Sequence, residues 1–476
     1  MTVAGTDQRT NRVANLPFPI GIDDLIRAHE LLAGKREFLP GQRRRVALRT
    51  PLVFSEPLTR QFNCKVWLKL ENLQNTGSYK VRGAFNNIAN LPVDRRECGV
   101  VTASAGNHAQ GVAYAASAFG IADRTTIFVP VGTPRVKQEN TRAFGVEVRE
   151  TGENFDQARE TAYAEADRSG RPFVEPFDDW NTIAGQGSIG LEICEDLPGV
   201  AGIVAPVGGG GMISGVAIAA AACAPAARVI GAEASGAASM IWALEQGGPA
   251  DLPEPPRTQI ADGIKVRQAG QRPWIVCNEL IGRDRIVAVP DTETVGAIAD
   301  LMVYAKIIAE GAGAISLAAL RDIQCGKVAT ISPFEAGQDV AIVISGGNID
   351  PSFSWRILYE QSIPNLLTIR VAMPDRPGEL LRMLMPIAQA NVNIIDVDVN
   401  RHDARPRMGE RIVEVCVAIT GQRQADTLLA ALEAKGYRVL VSRWQDPVVD
   451  REGNLTRSSI MPDRMVQGIA GAEPHE

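Results

Sequence analysis

The stretch GSYKVRGAF, residues 77–85, places Lys80 behind a glycine and a serine, where a turn gives way to a helical pattern. A lysine becomes a catalyst when its amine is partly desolvated and fixed beside a carbonyl, because it can then form a Schiff base and, once released, act as a base. The neighbours suit that use: Gly77 permits a tight turn, Ser78 can cap the helix or bind a ligand, and Tyr79 offers a flat ring face. A lone lysine at a helix start is ordinarily a solvated cation, so the reading depends on what other segments contribute.

In GIVAPVGGGGMISGVAIAAAA an apolar β-rich run leads into Gly208, Gly209, Gly210 and Gly211, followed by Met212 and a helix of small residues. Successive glycine amides can point at one anion while the helix N-terminus adds its dipole, which makes a phosphate cradle. Neither GK[ST] nor GxGxxG is present, so the nucleoside triphosphate and dinucleotide fingerprints are missing. In TASAGNHAQG, residues Ser104, Ala105, Gly106, Asn107 and His108 form a strand-to-helix loop whose amides can hold a carboxylate, and the Asn107 amide can bond a phenolic oxygen. VISGGNID puts Ser345 at a strand end before a Gly-Gly turn. Taken singly, these are also a glycine turn, a helix cap and a turn serine.

The surrounding pattern says how such residues would be positioned. From residue 65, KVWLKL, GVVTAS and TTIFVP alternate with helical stretches, and the rhythm returns in GIVAPV, RVIGAEA, RIVAVP and DVAIVISGG. Alternating strands and helices predict an α/β protein with parallel sheet, here in two lobes. After a helix and linker ending near Pro364, the chain reads β-α-β-β-α-β, a small ferredoxin-like module. The expected organisation is a loose segment over 1–19, an α/β domain over 20–350 with its small lobe at roughly 70–165, a linker over 351–364, the module over 365–445 and a loose tail over 446–476.

A net charge of −6 and a pI near 5.5 argue against an electrostatic nucleic-acid binder. The longest small-apolar run, GVAIAAAACAPAA, is broken by Pro225 before it could span a bilayer, so no membrane partner and a cytoplasmic location are expected. The 7 cysteines form no CxxC pair, as in a reducing compartment, and His29, His108, His402 and His475 show no metal-ligand spacing.

Together GSYKVRGA, SAGNHAQG, GGGGMISG and SGGNID resemble, in order and spacing, the fold type II pyridoxal-phosphate enzymes, and within them the threonine and serine dehydratases, over roughly residues 20–350. MPDRPGELLRML in the C-terminal module resembles an ACT domain, an amino-acid-sensing unit. The resemblance implies a two-lobed, tryptophan synthase β-like catalytic domain with pyridoxal 5′-phosphate as cofactor. It makes Lys80 the Schiff-base lysine, Tyr79 the ring-stacking residue, Asn107 the partner of the 3′-oxygen, Gly208 to Gly211 with Met212 the phosphate loop, and Ser345 the partner of the pyridine nitrogen. Ser104, Ala105, Gly106, Asn107 and His108 become the substrate loop.

The implied reaction is β-elimination and deamination of L-threonine to 2-oxobutanoate and ammonia, and of L-serine to pyruvate, with an amino-acid effector at the ACT domain and a homodimer or homotetramer as the assembly. Rival readings are a dehydratase for 3-hydroxyaspartate or a hydroxyectoine-derived amino acid, and a non-catalytic amino-acid sensor, against which the intact Lys80, Asn107, glycine loop and Ser345 count. Three positions refine the expectation. In GAEASGAASM, Ser239 stands where cation-binding relatives carry an aspartate beyond the glutamate, here Glu233, so no metal is expected. Glu310 in EGAGA is expected to support the pocket from behind. Ala105 replaces the serine with which related racemases protonate the second face.

Overall fold

The computed structural model describes residues 17–354, 357, 366–399, 409–444, 447–449 and 455–457. The expected loose segment is therefore described only from residue 17, the linker only at 351–354 and 357, and the tail only at 447–449 and 455–457; the rest of each lies outside the described residues. The chain divides into two units, Met1–Phe353 and Ser354–Glu476.

Strands of the first unit follow in the order β1 (Leu52–Phe54), β2 (Lys65–Leu70), β3 (Val101–Ala103), β4 (Thr126–Val129), β5 (Glu147–Glu150), β6 (Gly202–Pro206), β7 (Arg228–Ala234), β8 (Ile286–Val289) and β9 (Asp339–Ile344). They form a six-stranded sheet ordered β1-β2-β9-β6-β7-β8 and a three-stranded sheet ordered β3-β4-β5. Every pairing is parallel except β1 with β2. β6 and most of β9 are buried along their length, as runs such as GIVAP and VAIVI require when helices cover both faces. The chain leaves the larger sheet after β2, builds the smaller one, and returns at β6. Lys80 lies on that first crossing, at the start of the helix Lys80–Ala89.

The helix Trp180–Asp196 was not singled out in the sequence, yet it packs against both the Lys80–Ala89 helix and the Gly211–Cys223 helix that follows the glycine loop. Its glycines make this possible. A Cβ on Gly185 would lie 2.4 Å from the Arg82 carbonyl oxygen, one on Gly190 2.7 Å from Ala219 Cβ, and one on Gly215 2.5 Å from Gly187 Cα. The three helices thus approach to main-chain contact, and the two candidate loops are carried on one closely packed layer.

In the second unit, β10 (Leu366–Pro374), the helix Glu379–Gln389, β11 (Asn393–Asp398), β12 (Glu410–Ala418), the helix Gln422–Ala434 and β13 (Arg438–Trp444) form an antiparallel sheet ordered β11-β12-β10-β13 with ferredoxin-like connectivity. Its own core includes Ile369, Val371, Met383, Ile387, Val413, Val415, Leu428 and Leu432. Among the described residues no helix is long and apolar enough to cross a membrane.

Because the atoms a Gly215 side chain would meet are all main chain, at Gly187 and Ile183, Gly215→Ala has no flexible neighbour to yield. Overpacking of this kind costs about 1–3 kcal/mol, against a helix-propensity gain of ~1 kcal/mol. With main-chain atoms at 2.5 and 2.6 Å the cost lies at the upper end of that range, leaving a net loss of about 2 kcal/mol, and the variant is expected to melt roughly 3 °C lower by calorimetry; an unchanged or raised melting temperature would show that the layer can open at no cost.

Candidate active site

Two stretches far apart in sequence meet through their main chains. Leaving β9, Ser345 to Asn348 run beside the Gly77–Tyr79 turn: Ser78 bridges Gly346, Tyr79 N–H donates to Ser345 O at 3.1 Å, and Gly347 N–H donates to Gly77 O at 2.9 Å. Asn348 Nδ2 donates to Thr76 O at 2.9 Å. Gly77 sits at φ +69°, and a Cβ there would strike Asn348 Oδ1, so the turn accepts only glycine. Directly after it the half-buried Lys80 extends its amine to Pro176 O at 3.1 Å, 5.2 Å from the centroid of the Tyr79 ring. Burial lowers the Lys80 pKa to about 8, against the opposing field of Glu310. An amine in this state is partly neutral near physiological pH, as a nucleophile or base requires.

Asn107 opens the helix Asn107–Phe119 and is held from two sides: its Nδ2 donates to Glu310 Oε1 at 2.6 Å, and its Oδ1 accepts from Asn348 Nδ2 at 2.8 Å. Glu310 is pushed up to about 7, first by burial and then by Asp262. The other members of this loop divide. Ser104 Oγ accepts from Gly106 N–H at 3.2 Å, and Ala105 packs its methyl against the core of the smaller lobe.

His108 belongs to the loop through its main chain. Its ring is buried, with Nε2 lying 3.0 Å from Val174 O and 3.1 Å from Thr102 Oγ1. A carbonyl can only accept, so Nε2 carries the proton. Burial, with Lys80 adding to it, holds the His108 pKa down at about 3, and the ring stays neutral. This side chain belongs to the interior, which leaves only the His108 amide for a substrate.

The glycine loop packs on Phe177, next to the Pro176 carbonyl that receives the Lys80 amine. A Cβ on Gly209 would sit 2.3 Å from the Phe177 ring, and one on Gly211 2.8 Å from Gln186 Oε1, while Gly210 has φ +94°. A side chain at any of these positions would fill or distort the cradle. The loop opens the helix Gly211–Cys223, whose first amides have no helical acceptor. The Met212 side chain is buried in the core of the larger lobe, so its amide is what it presents to the loop. Gln186 Nε2 donates to Pro176 O at 3.3 Å, the carbonyl that also receives Lys80, which links the lysine to the glycine loop through one acceptor. Ser345 is buried, and its hydroxyl donates to Ala312 O at 3.2 Å.

Glu233 is fully buried and accepts from the amides of Met240 at 2.8 Å and Ile241 at 2.9 Å, at the start of the helix Ser239–Gln246. Burial raises its pKa to about 8. Among the described residues no cluster of three or more His, Cys, Asp or Glu is placed to hold a metal ion. Sequence reasoning missed Pro176, Phe177, Gln186 and Asn348. Asn348 lay within the quoted SGGNID, but the contribution of Pro176 is a main-chain carbonyl, which no side-chain motif signals.

Residues 44–346 match the pyridoxal-phosphate dependent enzyme family, well over half of the chain. The chain belongs to that family. Residues 367–436 match the ACT domain. L-threonine ammonia-lyase of Thermotoga maritima is 40% identical over 83% of this chain and 96% of its own length. The biosynthetic L-threonine dehydratase of Corynebacterium glutamicum is 33% identical over 84% of this chain and 88% of its own. Among solved structures, the processed form of threonine deaminase isoform 2 from Solanum lycopersicum superposes with a TM-score of 0.63 at 32% identity, covering 72% of this chain and 98% of that one. Maize serine racemase gives a TM-score of 0.62 at 30% identity, covering 72% and 99%. As a family member the chain uses pyridoxal 5′-phosphate, and the residues present fit it: a glycine loop without side chains and a partly desolvated amine adjoin the same Pro176–Phe177 segment, and the buried Ser78 Oγ and Gln186 Oε1 beside them have no protein partner.

Glu310 gives a pH test of the site's electrostatics. Its folded value, about 7, exceeds the ordinary value of 4.5, so between these pH values the folded chain binds more protons than the unfolded one. The Glu310 contribution therefore falls as pH rises through that window, by up to roughly 3 kcal/mol. Glu310→Gln keeps an oxygen for Asn107 but has no proton to lose. Urea unfolding without cofactor at pH 5 and pH 8 should show a smaller loss of stability in the variant than in the parent; parallel losses would mean that Glu310 is not held in its neutral form.

Proposed function

We infer that this chain deaminates L-threonine to 2-oxobutanoate and ammonia, and L-serine to pyruvate. The observation that carries the reading is the Lys80 amine, half-buried, lowered to about 8 and held against the Pro176 carbonyl, with the glycine loop packed on the adjoining Phe177 and the Asn107-bonded Glu310 close enough to act on the amine's charge. Bound pyridoxal 5′-phosphate supplies an aldehyde that takes an amine covalently and a ring that accepts the electrons released at Cα. Lys80 is assigned as the amine that holds that aldehyde and, when displaced by the substrate's amine, as the base that removes the proton from Cα.

The remaining roles follow from donor chemistry. Amides of Gly208 to Gly211 and of Met212 face a phosphate, aided by the dipole of the Gly211–Cys223 helix. Tyr79 presents its ring, Asn107 its amide to the phenolic oxygen, and the amides of Ala105, Asn107 and His108 a carboxylate site at the start of the Asn107–Phe119 helix, those of Ser104 and Gly106 being donated to Phe128 O and Ser104 Oγ. Ser345 would meet the cofactor's ring nitrogen with a neutral hydroxyl and no carboxylate counter-charge, which suits departure of the β-hydroxyl. That hydroxyl leaves as water, and one water later hydrolyses the released enamine, so threonine is converted to 2-oxobutanoate and ammonia without redox change. The ACT domain implies an amino-acid ligand, and regulation of the rate by such a ligand is the role we assign it. A sensor without catalysis would have no use for an amine lowered in this way, and 3-hydroxyaspartate would bring a second carboxylate for which no cation is assigned.

After loss of the α-proton Lys80 is the assigned proton carrier on one face, and Ala105, the loop position where a hydroxyl could serve the other, has no proton to give. The test is oxo-acid release from a panel of β-hydroxy amino acids, with chiral chromatography of the serine that remains. L-threonine and L-serine should be consumed without D-serine build-up, and Lys80→Ala should reduce release to background. Near-normal turnover by that variant, or D-serine formed as fast as pyruvate, would overturn the assignment.

A further inference from the structure

Arg82 stands two residues beyond Lys80 on the first turn of the same helix, and it is almost wholly removed from solvent, at 1% exposure. Its guanidinium is fully engaged. Nε and Nη2 donate to Glu71 Oε2 and Oε1, each at 2.8 Å; Nη1 and Nη2 donate to Glu192 at 2.8 and 3.0 Å; Nη1 also reaches Ser188 Oγ at 3.0 Å, and Nη2 reaches Leu48 O at 3.0 Å. Lys69 completes the cluster, donating to Glu192 Oε2 at 2.6 Å and Thr50 O at 2.7 Å. Lys69 and Glu71 are fully buried and Glu192 nearly so, making a neutral group of two cations and two anions inside the protein. On its far side His29 Nδ1 lies 3.6 Å from Glu192, and burial lowers the His29 pKa, which keeps that balance undisturbed.

Such a group is a poor stabiliser. Removing four charges from water costs about as much as their mutual attraction returns, and apolar replacements are often neutral or better. What the group does provide is geometry, because a guanidinium bound in forks to two carboxylates admits one arrangement. Here the forks join β2 and the turn after it, through Lys69 and Glu71, to the first turn of the Lys80 helix and to the helix Trp180–Asp196, through Glu192. The last helix also carries Gln186, which holds the carbonyl that receives the Lys80 amine.

We propose that Arg82 is a positioning residue for Lys80: the buried network of Arg82, Glu71, Glu192 and Lys69 fixes the Lys80 helix against the helix Trp180–Asp196 and so sets where the amine stands. Its importance for rate rests on the reading that Lys80 is the reacting amine; its effect on the amine itself does not.

The test is Arg82→Lys, which retains the charge and loses the forks. Two readouts are taken on folded protein: kcat and KM for L-threonine with cofactor, and, without cofactor, the pH profile of Lys80 modification by an amine-specific reagent followed by peptide mass spectrometry. The titratable groups facing the Lys80 amine, Glu310 and His108, are unchanged in the variant. A displacement of about 1 Å costs on the order of 100-fold in rate, so kcat should fall by about that factor while KM changes less than about threefold. With the amine moved toward water, its modification midpoint should rise from about 8 toward the ordinary lysine value. A variant with a lowered melting temperature but an unaltered kcat and modification profile would make the network purely structural and overturn the proposal. Glu71→Gln, which keeps the side-chain shape while removing one charge, is read by the same two outcomes should Arg82→Lys fail to fold. If the modification midpoint shifts as expected but the parent chain shows no turnover, the functional reading fails and the positioning role stands.

Discussion

Two main-chain hydrogen bonds, Tyr79 N–H to Ser345 O at 3.1 Å and Gly347 N–H to Gly77 O at 2.9 Å, are the constraint on which the catalytic unit depends. They close the end of β9 onto the turn before Lys80, so the lysine leaves the larger sheet at one defined point and enters its helix with its side chain aimed at Pro176. Gly77 is needed because its conformation is left-handed and the space beside it is taken by Asn348. Asn348 then bonds Asn107, and Asn107 bonds Glu310, so the same contact also orders the loop that precedes the Asn107–Phe119 helix.

A second level of organisation comes from the helix Trp180–Asp196. Its N-cap, Asp179, accepts from Thr182 N–H and from Asn87 Nδ2 of the Lys80 helix, at 2.9 and 2.8 Å. Glycines along it bring the Lys80 helix to one side and the glycine-loop helix to the other. The glycine loop and the start of the Lys80 helix are thus fixed relative to each other by packing of main chain on main chain, which has few alternative arrangements. The pKa pattern follows from the same burial: the amine is lowered, Glu310 is raised, and both lie closer to neutrality than they would in water.

Much of this was legible in the sequence, for physical reasons that can be named. Parallel strands buried on both faces must be apolar throughout, so GIVAPV and DVAIVISGG announced themselves, and the βαββαβ rhythm of the C-terminal module follows from alternating periodicities. Glycines that must lie close to a ligand or another helix also leave a mark, as in GGGG. The contribution of Pro176 left none, because a carbonyl is present in every residue. Where the His108 side chain goes was not legible, because the space behind the loop becomes interior only in the fold, where the carbonyl of Val174 accepts its ring N–H. The Met212 side chain likewise turns inward to the core of the larger lobe, leaving its amide beside the glycines. The Arg82 cluster was invisible because its acids, Glu71 and Glu192, are brought together only by the fold.

The central claim is that the fold presents one lysine, Lys80, to the aldehyde of pyridoxal 5′-phosphate. Borohydride reduction of the chain with that cofactor, followed by proteolysis and peptide mass spectrometry, tests it directly. The account predicts a single phosphopyridoxyl mass increment, stoichiometric and confined to the peptide containing Lys80. An increment on another lysine, or one spread over several surface lysines with Lys80 unmodified, would contradict it.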